Sequence, residues 1–242
     1  MFEHAPSLPR RFPLADSFSA LAVVVPAKDA ADSLPAALAA LAREGLGGNT
    51  VVAVGDETDP TVAVAQGLGA RVVVAPPGRG PQLMMGAGAA VAAWFLFLHA
   101  DTVLGPGAGA AVRAFMADPA NAEKAAYFRL AFDDDSPAAR RVARFANWRA
   151  KAFGLPYGDQ GLLIAAPFHR RLGGYRPLPL MEDVDLVRRI GKARLVELDA
   201  VAVTSAARYR QDGYILRPLR NLFCLGLWFL GAPPRIVKRF YA

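Results

Sequence analysis

The sequence predicts an α/β fold, a doubly wound and mostly parallel sheet flanked by helices. Three observations predict it. Over the first hundred residues, apolar runs of strand length alternate with Ala/Leu-rich helical stretches through short turns, the pattern of right-handed βαβ units. The run Trp94-Phe95-Leu96-Phe97-Leu98 is apolar throughout, as a strand buried on both faces requires. It ends abruptly at His99-Ala100-Asp101, which delivers an acid to the carboxyl edge of the sheet, where open α/β sheets bind ligands.

The elements follow in order. Residues 1–18 read as an irregular, Pro-rich lead-in. Leu21 to Val25 is a strand ending at Pro26. Ser33 offers an N-cap with Pro35 in the first turn, and a helix runs to about Arg43. Thr50 to Val54 is a second strand, followed by the polar turn 55–59 and a helix opening at Pro60. Ala70 to Ala75 is a third strand, Pro76 to Gly80 a loop, and a small-residue helix continues to about Ala93. After the FLHADT strand (97–102), a helix is expected near 107–117 and a strand over Lys124 to Phe132. A long helix follows Ser136, a short strand ends at Ala165, and Gly173-Gly174 make a turn. A helix starts at Glu182-Asp183, strands occupy 193–204, and residues 215–242 form a helical, apolar C-terminus. No internal repeat or linker is visible, so the expectation is one domain over 1–242.

Composition narrows the classes. With 54% hydrophobic residues the 242-residue chain builds a core unaided, and its single cysteine, Cys224, excludes internal disulfides and CxxC metal sites; it is expected in the core or an interface. A net charge of +7 favours anionic partners, but the charge is dispersed without an aromatic platform, so nucleic acid is not the expected partner. No signal peptide and no spanning-length apolar run is visible in the sequence, so neither is expected. The expectation is a cytoplasmic protein, peripheral on the inner membrane face. The helix after Ser136 sets Val142, Phe145, Trp148 and Ala152 at helical spacing, a stripe expected to be core, among Arg140, Arg141, Arg144, Arg149 and Lys151. The apolar segment Leu222 to Leu230, followed by Arg235, Lys238 and Arg239, fits a monotopic membrane contact, a buried helix or a homodimer interface equally well.

Seven segments in fixed order carry a resemblance: VVVPAKDAADSLPAAL (23–38), GDETDPT (55–61), GRGPQLMMGA (78–87), FLHADT (97–102), YGDQG (157–161), GGYRPLPLMEDVDLVRR (173–189) and TSAARY (204–209). Together they resemble the family 2 glycosyltransferases of the GT-A fold, and within them the subset labelled radical-SAM/selenodomain-associated transferases. The resemblance implies a nucleotide-sugar donor, a divalent cation (Mg²⁺ or Mn²⁺) and inverting transfer in a single displacement. It implies that Pro26, Ala27 and Lys28 lie near the base and ribose, with Asp56 also on the donor side. Arg79 and Gln82 then approach the diphosphate or its ribose, and Asp159 and Gln160 lie near acceptor or sugar. Asp101 matches the last acid of a DXD-type metal motif and Asp183, in the Glu182-Asp183 pair, the general base. The sequence departs from the family pattern in four places: Val54 where an Asp is common, Lys28 where Asn is usual, His99 in place of the first acid of the triplet, and Ala207 where the end motif has a further arginine.

The chemistry suits these residue types. A departing nucleoside diphosphate gains negative charge, which a cation held by hard oxygen ligands offsets. One carboxylate suffices where phosphates and water complete the shell, so Asp101 serves as anchor, and His99 is either a further ligand or a strand-end cap. The acceptor hydroxyl loses its proton to a carboxylate, a role for Asp183 at a helix N-terminus, where Glu182, Asp183 and Asp185 would otherwise act only as caps. Gly78-Arg79-Gly80 is either a phosphate loop or a surface turn. Arg208 and Arg210 offer guanidinium forks to the diphosphate, Arg210 being the more easily explained as solvated surface. The expected acceptor is a lipid or small hydrophobic molecule. Two other readings stay open: a nucleotidyltransferase of similar sheet, and a non-catalytic nucleotide-sugar or membrane-binding module, which Val54 and Ala207 motivate.

Overall fold

The computed structural model describes residues 19–241, so the lead-in expected over 1–18 lies outside the described residues. The first half alternates as β1 (Ser19–Ala27), α1 (Leu34–Arg43), β2 (Thr50–Val54), α2 (Thr61–Gly67), β3 (Arg71–Val74), α3 (Arg79–Ala89) and β4 (Ala92–Phe97). The second half continues through β5 (Thr102–Leu104), α4 (Ala108–Ala117), β6 (Ala125–Phe132), α5 (Pro137–Phe153), β7 (Leu162–Ala165), α6 (Ala166–Arg171) and α7 (Glu182–Ile190). It closes with β8 (Leu195–Thr204), α8 (Ala207–Asp212), α9 (Leu216–Phe229) and α10 (Pro234–Tyr241).

Among the described residues, eight strands join one sheet in the order β3-β2-β1-β4-β7-β6-β8-β5. The first four are mutually parallel, with Val24 opposite Val51 on one side and Phe97 on the other. Their order, 3-2-1-4, reverses direction between β1 and β4, which opens a crevice at the carboxyl ends of these strands. The remaining strands are mixed: β7 runs antiparallel to both β4 and β6, β8 is parallel to β6, and β5 is antiparallel to β8. Both faces of the sheet are covered, and period-two alternation divides the core accordingly. Val23, Val25, Leu96 and Leu98 pack on one side with α1 and α4, while Ala22, Val24, Phe95 and Phe97 pack on the other with α6 and α7.

Two glycines of α3 permit close approach. A Cβ on Gly86 would stand 2.5 Å from Val24 Cγ1, and one on Gly80 would stand 2.5 Å from the Leu178 carbonyl oxygen. The helix therefore lies tight on β1 with the 176–178 segment crossing its first turn, and it begins at Arg79, inside the expected loop. Cys224 is fully buried in α9.

Several expectations are corrected. Ser33 is not a side-chain cap: its backbone is already helical, because a turn from Ala30 precedes it, and its hydroxyl donates to the Ala30 carbonyl. The apolar stripe on α5 is not core. The helix buries its alanines, Ala139, Ala146 and Ala150, while Phe145 and Trp148 remain about half exposed. Small residues let α5 sit close to β6, which leaves its large side chains at the rim, where Trp148 packs tilted on Phe145 and edge-to-face on Phe153. One strand, β8, replaces the strands expected over 193–204.

Candidate active site

The crevice is built where β4 ends. Leu98 N–H still bonds to the Val24 carbonyl, after which His99 and Asp101 turn into β5, whose Thr102 pairs with Thr204 at the end of β8. Asp101 is thereby fixed between two strand ends, and the chain after β8 brings Ser205 and Arg208 to the same place. Asp183 arrives from the first turn of α7. Its Oδ1 accepts from Val184 N–H at 2.7 Å and its Oδ2 from Gly158 N–H at 2.9 Å, tying α7 to the helical turn at Gly158–Gln160.

Gly158 lies directly against His99: an added Cβ would stand 2.4 Å from His99 Nε2. Burial and the nearby charges of Arg79 and Arg208 push the His99 imidazole well below the ordinary histidine range, so it is neutral. Asp29 and Met181 are the two non-glycine residues with positive φ among the described residues, at 50° and 64°. Asp29 lines the crevice and Met181 immediately precedes Glu182-Asp183. Strained backbone of this kind persists where surrounding structure holds it, often at functional sites.

Two cavities meet at Arg79, His99, Asp101, Arg208 and Tyr241. The larger, about 950 Å³, lies over the carboxyl ends of β1 and β2 and is lined by Pro26, Ala27, Lys28, Asp56, Gln82 and Glu182 besides the shared residues. The smaller, about 140 Å³, is bounded by β6, α5, the 157–159 turn and the C-terminal helices; Asp159 and Asp183 line it. Asp101 and Asp183, 82 positions apart in sequence, thus share one cavity.

Other expected residues take different places. Gln82 is buried and donates from Nε2 to the Ala27 carbonyl at 2.7 Å, so it holds the end of β1. Gln160 does not reach either cavity. It is fully buried, donating to the Phe128 carbonyl and to Asn147 Oδ1 while accepting from Tyr157 N–H. Asp56 accepts from Thr58 within its own turn, and Asp59 organises the loop instead, accepting from Asp29 N–H and Thr61 N–H. Arg210 pairs with Asp133 at 3.2 Å, whereas Arg208 stands exposed at the junction of the cavities. Glu182, expected beside Asp183 in the chemistry, is 1% exposed and lies 3.6 Å from Arg79, lining the larger cavity. Burial and then the Asp183 charge raise its pKa to about 7, against the pull of Arg79. Asp159 is pushed up to about 6, chiefly by burial.

Sequence reasoning missed Tyr157, Tyr209, Asn221 and Tyr241, all on the smaller cavity, and the part played by Arg149 there. Arg149 stacks its guanidinium 3.3 Å from the Tyr157 ring centroid and donates from Nε to the Leu155 carbonyl. Tyr157 and Tyr209 stood within recognised segments, but Tyr241 has no local signal, because its place depends on how α10 folds back.

Among the described residues no cluster of three His, Cys, Asp or Glu side chains forms a self-sufficient metal site. Asp101 with neutral His99 supplies at most two ligands. That donor set fits a hard cation that draws its remaining ligands from phosphate oxygens and water, and does not fit a structural metal.

Comparison with known proteins agrees with this architecture. The family model described as glycosyl transferase family 2 matches residues 22–163. A sequence search of curated proteins gives no match. Among solved structures, the mannosyltransferase PcManGT from Pyrobaculum calidifontis, in complex with GDP-Man and Mn²⁺, is similar at 17% identity and TM-score 0.60, covering 88% of this chain and 64% of that one. S. aureus TarS 1-349 in complex with UDP gives 13% identity and TM-score 0.59 over 92% of this chain and 69% of that one. Glucosyl-3-phosphoglycerate synthase from Mycobacterium tuberculosis, with Mn²⁺ and UDP-Glc, gives 16% identity and TM-score 0.56 over 89% and 80%. At these identities the likeness is one of fold.

Proposed function

The chain belongs to glycosyl transferase family 2, and from that premise we propose that it moves a sugar from a nucleotide-sugar donor, with a divalent cation, to a lipid or small hydrophobic acceptor. The observation that carries this reading is the meeting of Asp101, Asp183, Arg79 and Arg208 on one cavity that opens into a second large enough for a nucleotide.

In this proposal the nucleoside occupies the cavity of about 950 Å³, against Pro26, Ala27, Lys28 and Asp56. Arg79 and Arg208 face the diphosphate, and buried Glu182 holds Arg79 in place. Asp101, with His99, holds the cation. When bound, that ion supplies charge compensation for the departing diphosphate. Asp183 accepts the acceptor's hydroxyl proton. Its two backbone hydrogen bonds fix the carboxylate in place and leave lone pairs free for that transfer. Displacement is single and inverting. The chain acts as one catalytic domain, and His99-Ala100-Asp101 in place of a fully acidic triplet supports the radical-SAM/selenodomain-associated subset.

The apolar acceptor is supported by Leu130, Phe132, Val142, Phe145 and Leu222 on the smaller cavity. Leu216, Leu219, Phe223 and Leu230 on and after α9 are also more than half exposed, and basic Arg235 and Arg239 follow. No described helix is long and apolar enough to cross a membrane, so the proposed contact is peripheral, on the inner membrane face. Sedimentation with anionic vesicles tests it: binding lost in Leu219→Asp/Phe223→Asp supports a membrane, and dimer dissociation in that variant supports a second copy instead. The function itself is tested by thermal shift with nucleoside diphosphates and sugar nucleotides, with and without Mn²⁺. A nucleotide must stabilise the fold in a Mn²⁺-dependent way; if none does, the reading fails.

A further inference from the structure

The chain's positive charge is dispersed in sequence and gathered in the fold. Helices α5, α9 and α10 carry ten of its 28 Lys and Arg residues and none of its 21 Asp and Glu residues, so the remainder of the chain is net negative. All three helices border the smaller cavity, through Phe145 of α5, Leu222 of α9 and Tyr241 of α10. Arg140, Arg141, Arg144, Lys151, Arg235 and Arg239 are exposed, and none of these six pairs with a carboxylate among the described residues. The nearby acids are engaged by other groups: Asp212 by Arg217 and Arg220, and Asp133 by Arg210.

Exposed apolar side chains are interleaved with these cations. Arg141, Arg144, Phe145, Trp148 and Lys151 recur at helical spacing, so they share one face of α5. Leu216, Leu219 and Phe223 do the same on α9, and Phe240 of α10 packs edge-on against Phe223. Phe145 and Leu222 line the smaller cavity and are about half exposed, so its mouth opens within this apolar and basic surface.

The charge of the surface decides what covers it. A second copy meeting it about a two-fold axis would set the patch against itself, cation facing cation with no acid on either side. A nucleic acid would match the cations but would not cover the leucines of α9. An anionic bilayer matches both, because Trp and Phe rest at head-group depth while Lys and Arg meet the lipid phosphates.

We propose that α5, α9 and α10 form one docking face for an anionic lipid bilayer, with the mouth of the smaller cavity inside the contact, so that the acceptor reaches the site from the lipid phase. This rests on the glycosyltransferase reading for the acceptor. It extends the α9 contact to α5, which a water-soluble acceptor would not require.

The test uses the full chain with vesicles of phosphatidylcholine, with and without phosphatidylglycerol. Arg141→Ala/Arg144→Ala should lose ~30-fold in affinity for the anionic vesicles, the effect of removing two cations from a charged surface. Its melting temperature should match that of the native protein, because both side chains are exposed and unpaired. Brominated acyl chains should quench the native fluorescence, less so in Trp148→Phe, and Phe145→Trp/Trp148→Phe should restore quenching at the mouth of the cavity. Equal vesicle affinity in the native protein and the double-alanine variant overturns the proposal. So does quenching that neither Trp148→Phe nor Phe145→Trp changes, even where Leu219→Asp/Phe223→Asp abolishes binding, since the contact then runs through α9 alone. A protein that ignores anionic vesicles and dimerises through this face overturns it in favour of a second copy. Nucleotide binding is measured separately: the expected vesicle results from a protein that binds no nucleotide support the docking face and sink the glycosyltransferase reading.

Discussion

Gly158→Ala puts the geometry of the site under direct strain. The new methyl would stand 2.4 Å from His99 Nε2 and 2.9 Å from Cε1, where ordinary contact begins near 3.4 Å. About 1 Å of relief is needed. One route turns the His99 ring off its rotamer within a packed surrounding, and overpacking of this kind costs ~1–3 kcal/mol. The other withdraws the 158–160 turn, which stretches the 2.9 Å bond from Gly158 N–H to Asp183 past hydrogen-bonding range. A bond to a charged group is worth ~1.5–3 kcal/mol. Both routes predict a fall in melting temperature of several degrees, at roughly 2–4 °C per kcal/mol for a chain of this size. Both also displace a group that the proposed mechanism puts at the reaction centre, and a 1 Å misplacement typically costs ~10²-fold in rate. Thermal unfolding and single-turnover kinetics on the same preparation read both quantities. A Gly158→Ala protein with unchanged melting temperature and unchanged turnover would refute the claim that this glycine couples His99 to Asp183.

Three further outcomes follow from the same contacts. Asp183→Asn should lower turnover ~10²–10⁴-fold and leave nucleotide affinity unchanged; a silent substitution would instead support a binding module without catalysis. Asp159 has a folded pKa of about 6 against an ordinary 3.8, raised chiefly by burial, so the native state holds its proton more tightly than the unfolded chain does. Stability should therefore fall as pH rises from about 4 to above 6, by on the order of 3 kcal/mol, and denaturant melts of Asp159→Asn should lack that component. Arg189 donates to Asp185 and to the carbonyls of Leu172 and Gly174. Arg189→Met should destabilise by ~3 kcal/mol, at the low end for a buried pair because Arg176 still reaches Asp185 at 3.0 Å. Chemical denaturation measures it, and a loss under about 1 kcal/mol would contradict the assigned role.

The parallel half of the fold was legible because its signals are local. Val-rich runs over 21–25 and 50–54, the second ended at Gly55, specify strands without reference to distant residues, although β1 runs on through the expected stop at Pro26 to Ala27, because Pro26 still pairs with Ala53. The mixed half was not. Whether β7 inserts between β4 and β6, or a three-residue strand at Thr102–Leu104 pairs with β8, depends on partners about 40 to 100 positions away. For the same reason the stripe on α5 read as core: periodicity reports that a helix has an apolar face and not how much cover that face receives. At the site, residue type and order pointed to Asp101 and Asp183, which line one cavity, since an acid after a buried strand and an acid opening a helix have few other positions to take. Residue type misjudged Gln160, because a buried amide that satisfies backbone groups looks, in sequence, like one facing a ligand. Arg149, Asn221 and Tyr241 enter through α5, α9 and α10, whose packing no short segment encodes.

The central claim is that Asp101 and Asp183 flank one bound diphosphate. A crystal of the protein grown with Mn²⁺ and the stabilising sugar nucleotide tests it through the anomalous signal of manganese. The claim predicts a single peak within coordination range of the Asp101 carboxylate, bridged to the diphosphate, with the donor sugar between it and Asp183. A nucleotide bound elsewhere, or a manganese peak that leaves Asp101 without a ligand, would contradict it.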